Sequence, residues 1–228
     1  MRVVVSKNGL KMLFPWDYIG KGTEGKVYRK EDYAYKCYHR FSLCGRLSLE
    51  ETRFLEDIST ERILLPKDTL YTCFGKFKGY TTHYIKNLGV VHYLELSADL
   101  LVQDFHLLNC DCEILGKKKV VIYDLMPKDD KIQNYSFNRG LYFVDPGKYH
   151  VDSNLSEKEA ILANKKNVER FLYYRVINNC EDIGSRLSYE KLQVFRDVMS
   201  EHPGQLLDYI SSDIQSDSLG EYVKRKTL

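Results

Sequence analysis

What the chain lacks narrows it first. No apolar run approaches the about 18 residues that a membrane-spanning helix needs. The opening MRVVVSKNGLKMLF carries too short an apolar run for a secretory signal peptide. A net charge of +2, from 34 basic and 32 acidic residues, gives no electrostatic case for nucleic acid or an acidic membrane as the main partner. The six cysteines (Cys37, Cys44, Cys73, Cys110, Cys112 and Cys180) include no C-x-x-C pair and no dense framework, so reduced thiols and a cytoplasmic setting are expected, with export as an effector the open alternative. Internal repeats and low-complexity tracts are also missing. What is present is ordinary: 228 residues, enough for one large domain or two small lobes, with 43% hydrophobic residues to build a core.

The most informative stretch is YIGKGTEGKVYRKEDYAYK, Tyr18 to Lys36. Gly20, Gly22 and Gly25 give the spacing G-x-G-x-x-G. Such glycines let backbone N–H groups approach phosphate oxygens that a Cβ would obstruct. A dinucleotide-binding fold would place a helix directly after them. Here Lys26 to Arg29, the polar turn Lys30-Glu31-Asp32 and the run Tyr33 to Tyr38 read as strand, turn, strand. Upstream, Arg2–Ser6 and Leu10–Phe14 flank Lys7-Asn8-Gly9, a type I′ hairpin signal.

Downstream, Leu47, Phe54, Leu55 and Ile58 mark a helix between Leu47 and Ser59 that carries Glu50, Glu51 and Glu56. Thr69–Phe74 and Tyr80–Ile85 read as two more strands; with the three of the glycine stretch, one before the loop and two after it, they give a five-stranded sheet to which the N-terminal hairpin can add. Leu101, Phe105, Leu108, Cys112 and Leu115 set a helix from Ala98 to Leu115, with Gly116 as its expected cap. His106 and Cys110 share a face of it, but two further metal ligands are not apparent. Two aspartate motifs follow: Tyr123-Asp124-Leu125-Met126-Pro127-Lys128-Asp129, and Leu141-Tyr142-Phe143-Val144-Asp145-Pro146-Gly147, a strand ending in Asp-x-Gly. The remainder reads as helices, with a capping box at Ser156-Glu-Lys-Glu159 and a charged tail, Glu221 to Lys226, expected to fray.

In this order the glycine loop, strand lysine, helix glutamate, Asp-Leu-x-Pro and strand-Asp-x-Gly resemble the protein kinase-like superfamily, as a small and divergent Ser/Thr type. The resemblance covers most of residues 16–150. It implies an α+β, two-lobed fold, with an N-lobe over residues 1–86 (antiparallel sheet and one main helix) and a reduced, mostly helical C-lobe over 87–228. It also implies ATP and Mg²⁺. By the same resemblance Gly20, Lys21, Gly22, Thr23, Glu24, Gly25 and Val27 cover the nucleotide, and Lys36 pairs its phosphates. Glu51, with Glu50 and Glu56 as alternatives, aligns Lys36. Ala34 and Thr82 border the adenine, and His83, Tyr84 and Ile85 offer it backbone hydrogen bonds. Asp124 becomes the catalytic base, and Asp145 and Asp129 the metal ligands, with Asn134 as an alternative to Asp129. The implied acceptor is a protein hydroxyl, serine or threonine favoured.

The departures are specific. Ile122 and Tyr123 stand where the family has histidine and arginine, Met126 replaces a lysine, Asp129 replaces an asparagine, and Pro146 replaces a phenylalanine. No A-P-E-like anchor follows Gly147. These leave open a pseudokinase acting as a nucleotide-binding or regulatory module, and a small-molecule kinase of the same fold.

Overall fold

A computed structural model describes residues 2–39, 46–123, 125, 134–179 and 187–228. Asn8-Gly9 makes the hairpin that its sequence predicts. Gly9 sits at φ +90°, where a side chain would be strained, and joins β1 (Arg2–Ser6) to β2 (Gly9–Leu13). Then come β3 (Tyr18–Lys21), β4 (Gly25–Lys30), β5 (Tyr33–Tyr38), the helix α1 (Leu49–Glu56), β6 (Asp68–Tyr71) and β7 (Phe77–His83). They form one antiparallel sheet in the order β2-β1-β6-β7-β5-β4-β3. The N-terminal hairpin therefore extends the expected five strands to seven, at the β6 edge.

Alternation along the strands sorts the two faces. Tyr28, Tyr35, Cys37 and Leu70 join Val4 and Leu13 in one buried cluster. The intervening residues Val27, Ala34, Lys36 and Tyr38 face the other side. Register sets Val27 beside Lys36, Lys36 beside Tyr80, and Ala34 beside Thr82 on that side.

The chain divides into two compact units. The first comprises Met1–Thr60, Leu64–Ile85 and Val144–His150, so the Asp145-Pro146-Gly147 segment belongs to the sheet unit. The second comprises Glu61–Ile63, Lys86–Phe143 and Val151–Leu228. The second unit contains α2 (Val90–Leu94), α3 (Ala98–Lys117), the short strands β8 (Val120–Val121), β9 (Tyr135–Phe137) and β10 (Leu141–Phe143), α4 (Glu157–Phe171), α5 (Gln193–Glu201), α6 (Leu206–Asp213) and α7 (Leu219–Thr227). The architecture is α+β.

The stripe Leu101, Phe105, Leu108, Cys112 and Leu115 on α3 is fully buried, as its spacing predicts. Gly116 does not cap this helix, which runs on to Lys117. It is instead a crossing point with α4, where a Cβ would lie 2.3 Å from the Ile161 Cγ1 atom. Two aspartates of α3 hold the segment 61–63. Asp111 accepts the backbone N–H groups of Glu61, Arg62 and Ile63 at 3.0, 2.6 and 2.8 Å. Asp104, fully buried, accepts from Arg62 Nε at 2.5 Å, the Tyr93 hydroxyl at 3.1 Å and the Leu141 N–H at 3.0 Å. The tail does not fray as expected. Leu219, Tyr222 and Val223 bury one face of α7, while Lys226 and Arg225 pair with Asp213 and Asp217 at 2.7 and 2.9 Å. Among the described residues, no helix is long and apolar enough to cross a membrane.

Candidate active site

The site lies within the first unit and is built around Lys36. Its place in β5 points it to the sheet face away from the apolar cluster, and it is only 9% exposed. A buried ammonium needs anionic partners. Lys36 Nζ lies 2.6 and 2.8 Å from the two carboxylate oxygens of Asp145, and 2.8 Å from Glu24 Oε2. Asp145 also accepts from the Tyr80 hydroxyl at 3.0 Å and from the Gly147 N–H at 3.1 Å. Glu24 is 6% exposed, and its Oε1 lies 3.5 Å from Lys148 Nζ. Two cations and two carboxylates thus balance one another.

The electrostatics follow from this pairing. Burial alone would lower the pKa of Lys36, but Asp145 and Glu24 outweigh it and hold the ammonium above its ordinary value. Burial alone would raise Asp145. The Lys36 charge, with the Gly147 N–H and the Tyr80 hydroxyl, holds its carboxyl below its ordinary value instead. Both groups are therefore charged at neutral pH. Gly147 closes the arrangement. A Cβ there would lie 2.8 Å from Glu24 Oε2 and 2.9 Å from Lys36 Nζ.

The glycine segment is a tight hairpin between β3 and β4, closed by Gly22 N–H to the Gly25 carbonyl at 2.9 Å. His39 ties it down, donating its N–H to the Glu24 carbonyl at 2.8 Å. The three glycines differ in kind. A Cβ on Gly25 would meet the Cys37 carbonyl oxygen at 2.5 Å, so strand packing requires glycine there. A Cβ on Gly20 or Gly22 would meet nothing within 4 Å. Lys21 and Thr23 are exposed.

The remaining expected site residues fall as follows. Val27, Ala34 and Thr82 share the Lys36 face by register. His83 ends β7 opposite Tyr33 and stacks on its ring at 5.2 Å. Tyr84 donates its N–H to the Asp32 carbonyl at 2.8 Å, and Arg29 lies over its ring at 4.3 Å. That N–H is committed within the protein, and Ile85 follows as the last residue of this stretch of the unit. Asp124 and Asp129 lie outside the described residues. Asn134 is described and buried.

The expected Lys36–Glu51 pair is not formed. Glu51 is the third residue of α1, and its carboxylate accepts the Ser48 N–H at 2.8 Å while Ser48 Oγ accepts the Glu51 N–H at 3.1 Å. This reciprocal cap commits it to the helix start. Neither alternative replaces it: Glu50 is exposed, and Glu56 pairs with Lys7 at 2.7 Å and accepts from the Thr69 hydroxyl. Glu24 holds Lys36 instead. The sequence contained a signal for this, because an acid within a glycine hairpin is buried only where a cation answers it. Tyr80 and Lys148 carried no such signal.

In the second unit, α4 fixes the chain from Val120 to Ile122. Asn164 accepts the Ile122 N–H at 2.9 Å and donates to the Val120 carbonyl at 2.8 Å, and Asn167 donates to the Ile122 carbonyl at 2.7 Å. His106 and Cys110 approach to 3.6 Å, but among the described residues no group of three His, Cys, Asp or Glu side chains could hold a metal ion.

The site offers a buried ammonium, a carboxylate whose side chain is 32% exposed, and a glycine hairpin with open space at two of its glycines. Such a set can bind phosphate oxygens and a divalent cation. Compared with known proteins, the chain matches no protein-family model and no curated sequence.

Proposed function

We propose that the protein is an ATP- and Mg²⁺-dependent phosphotransferase of the protein kinase-like superfamily, acting on a protein serine or threonine hydroxyl. On this reading its two units are the small and large lobes of that fold. The observation that carries the proposal is Lys36. It is buried on the sheet face shared with Val27, Ala34 and Thr82, and it is bonded to Asp145 of the Asp-x-Gly segment, which lies far away in the sequence. A solvated strand lysine would have no reason to meet that aspartate.

The residues present fit the ligands. Gly20 and Gly22 have no packing reason to be glycine, and backbone approach to a triphosphate supplies one. Lys36 would bind phosphate oxygens. Mg²⁺ needs only one or two protein carboxylates beside phosphate and water oxygens, and Asp145, with Asp129, would supply them. When bound, the ion neutralises charge on the phosphates. Asp124 would orient the acceptor hydroxyl and take its proton. Asn164 and Asn167 hold the backbone of Val120 and Ile122, which precede it in the sequence.

The test is transfer of labelled γ-phosphate from Mg·ATP to the protein itself and to a mixed protein extract. Wild type is expected to transfer, and Asp124→Ala and Asp145→Ala to lose at least about a hundredfold in rate. Nucleotide binding without transfer to any protein or small-molecule acceptor would make the chain a pseudokinase. Absence of nucleotide binding would refute the proposal.

A further inference from the structure

We infer that Glu24, in the glycine hairpin, is the positioning residue of Lys36, so that alignment of this lysine is built into the sheet and does not depend on α1. The inference rests on the phosphotransferase reading and concerns the same site.

Two observations and one consequence of that reading carry it. First, Glu24 is where such a residue has to be: its Oε2 is 2.8 Å from Lys36 Nζ, with both side chains about nine-tenths buried. Second, Asp145 is the carboxylate that the reading assigns to the metal, which leaves Glu24 to hold Lys36. Third, the carboxylates of α1 are committed or exposed. Glu51 caps Ser48, Glu56 holds Lys7 and Thr69, and Glu50 is exposed.

The placement is also anchored on both sides. His39 holds the Glu24 backbone, and the absence of a side chain on Gly147 leaves the carboxylate room. An acid at this point of a phosphate-binding hairpin would repel the ligand if its charge were free. Lys36 and Lys148 answer it, so the hairpin keeps no net negative charge there. Lysine and hairpin are therefore tied to each other without a carboxylate from α1.

The experiment measures Mg·ATP affinity and the ATP KM and kcat of wild type, Glu24→Gln, Glu24→Asp and Glu51→Gln, each normalised to folded protein. Glu24→Gln is isosteric and leaves Lys36 its Asp145 partner. It is expected to lose about tenfold to a hundredfold in kcat/KM, in line with misplacement of a catalytic group by about an ångström. Glu24→Asp, which keeps the charge at shorter reach, should fall between, and Glu51→Gln should stay within about twofold of wild type, losing only thermal stability. A wild type that binds Mg·ATP, with Glu24→Gln unchanged or with Glu51→Gln carrying the loss, overturns the inference and leaves the phosphotransferase reading standing. A wild type with no affinity for Mg·ATP overturns both. Should Glu24→Gln not fold, Glu24→Asp and Glu51→Gln decide by the same criterion.

Discussion

Glu169 shows how much one buried side chain can impose on the protein. It is 1% exposed on α4, where its carboxylate accepts the N–H groups of Gly204 at 2.8 Å and Leu206 at 2.5 Å, tying α4 to the start of α6. Burial pushes its pKa up to about 7 from an ordinary 4.5, against the opposing pull of those N–H groups. Below its ordinary value the residue is protonated whether the chain is folded or unfolded. Between there and about 7, only the unfolded chain gives up the proton. Stability from this residue is therefore fully present in mild acid and is lost as pH rises through about 7, by on the order of 3 kcal/mol. Chemical denaturation from pH 4 to 8 should show wild type losing stability relative to Glu169→Gln across about that window. Parallel curves for the two proteins would contradict the assignment. At the same scale, Asp145 works in the opposite direction at low pH. Asp145, held below its ordinary value, stabilises above its unfolded pKa and loses that contribution as the pH falls through its folded one.

At the scale of elements, the glycines of the hairpin divide into packed and open positions. Gly25 faces the Cys37 carbonyl at a distance no Cβ tolerates, whereas Gly22 faces open space. Gly25→Ala should destabilise the fold by about 1–3 kcal/mol, because strand backbone cannot give way. Gly22→Ala should leave stability within about 0.5 kcal/mol of wild type. On the phosphotransferase reading it should nevertheless weaken Mg·ATP binding about tenfold, ~1.4 kcal/mol, because its Cβ would enter the space proposed for a phosphate. Calorimetric titration beside thermal unfolding checks both. A Gly22→Ala protein with undiminished affinity would remove the phosphate role of the hairpin.

Most elements were legible because their signals are local. Asn8-Gly9 fixed the first hairpin, the α3 stripe fixed its buried face, and Ser156 with Glu159 fixed the start of α4. Gly116 was misread as a cap because a helix-crossing contact is not a local property. The α7 tail was misread because its charges concealed an apolar face of Leu219, Tyr222 and Val223. Within the candidate site, motif order singled out Lys36 and Asp145, and the structure brings these two side chains together. The choice of Glu24 over Glu51 was not, because the Ser48 cap and the Glu24–Lys36 pair compete for roles that sequence spacing cannot rank.

At the scale of the whole molecule, the sheet unit draws on three separate stretches of chain. Its last stretch, Val144–His150, delivers Asp145, Gly147 and Lys148 to Lys36 and Glu24. This long-range closure joins the glycine hairpin to the Asp-x-Gly segment in one charged cluster, and the phosphotransferase reading stands on it. The most direct test is to treat the folded protein with an ATP acyl-phosphate, which acylates lysines lying beside bound phosphates, and to map the modified lysines by mass spectrometry. Acylation concentrated at Lys36, and suppressed by excess Mg·ATP, is the result expected. Acylation scattered over exposed lysines such as Lys21 and Lys166, with Lys36 unmodified and no protection by Mg·ATP, would contradict the nucleotide site at the centre of this proposal.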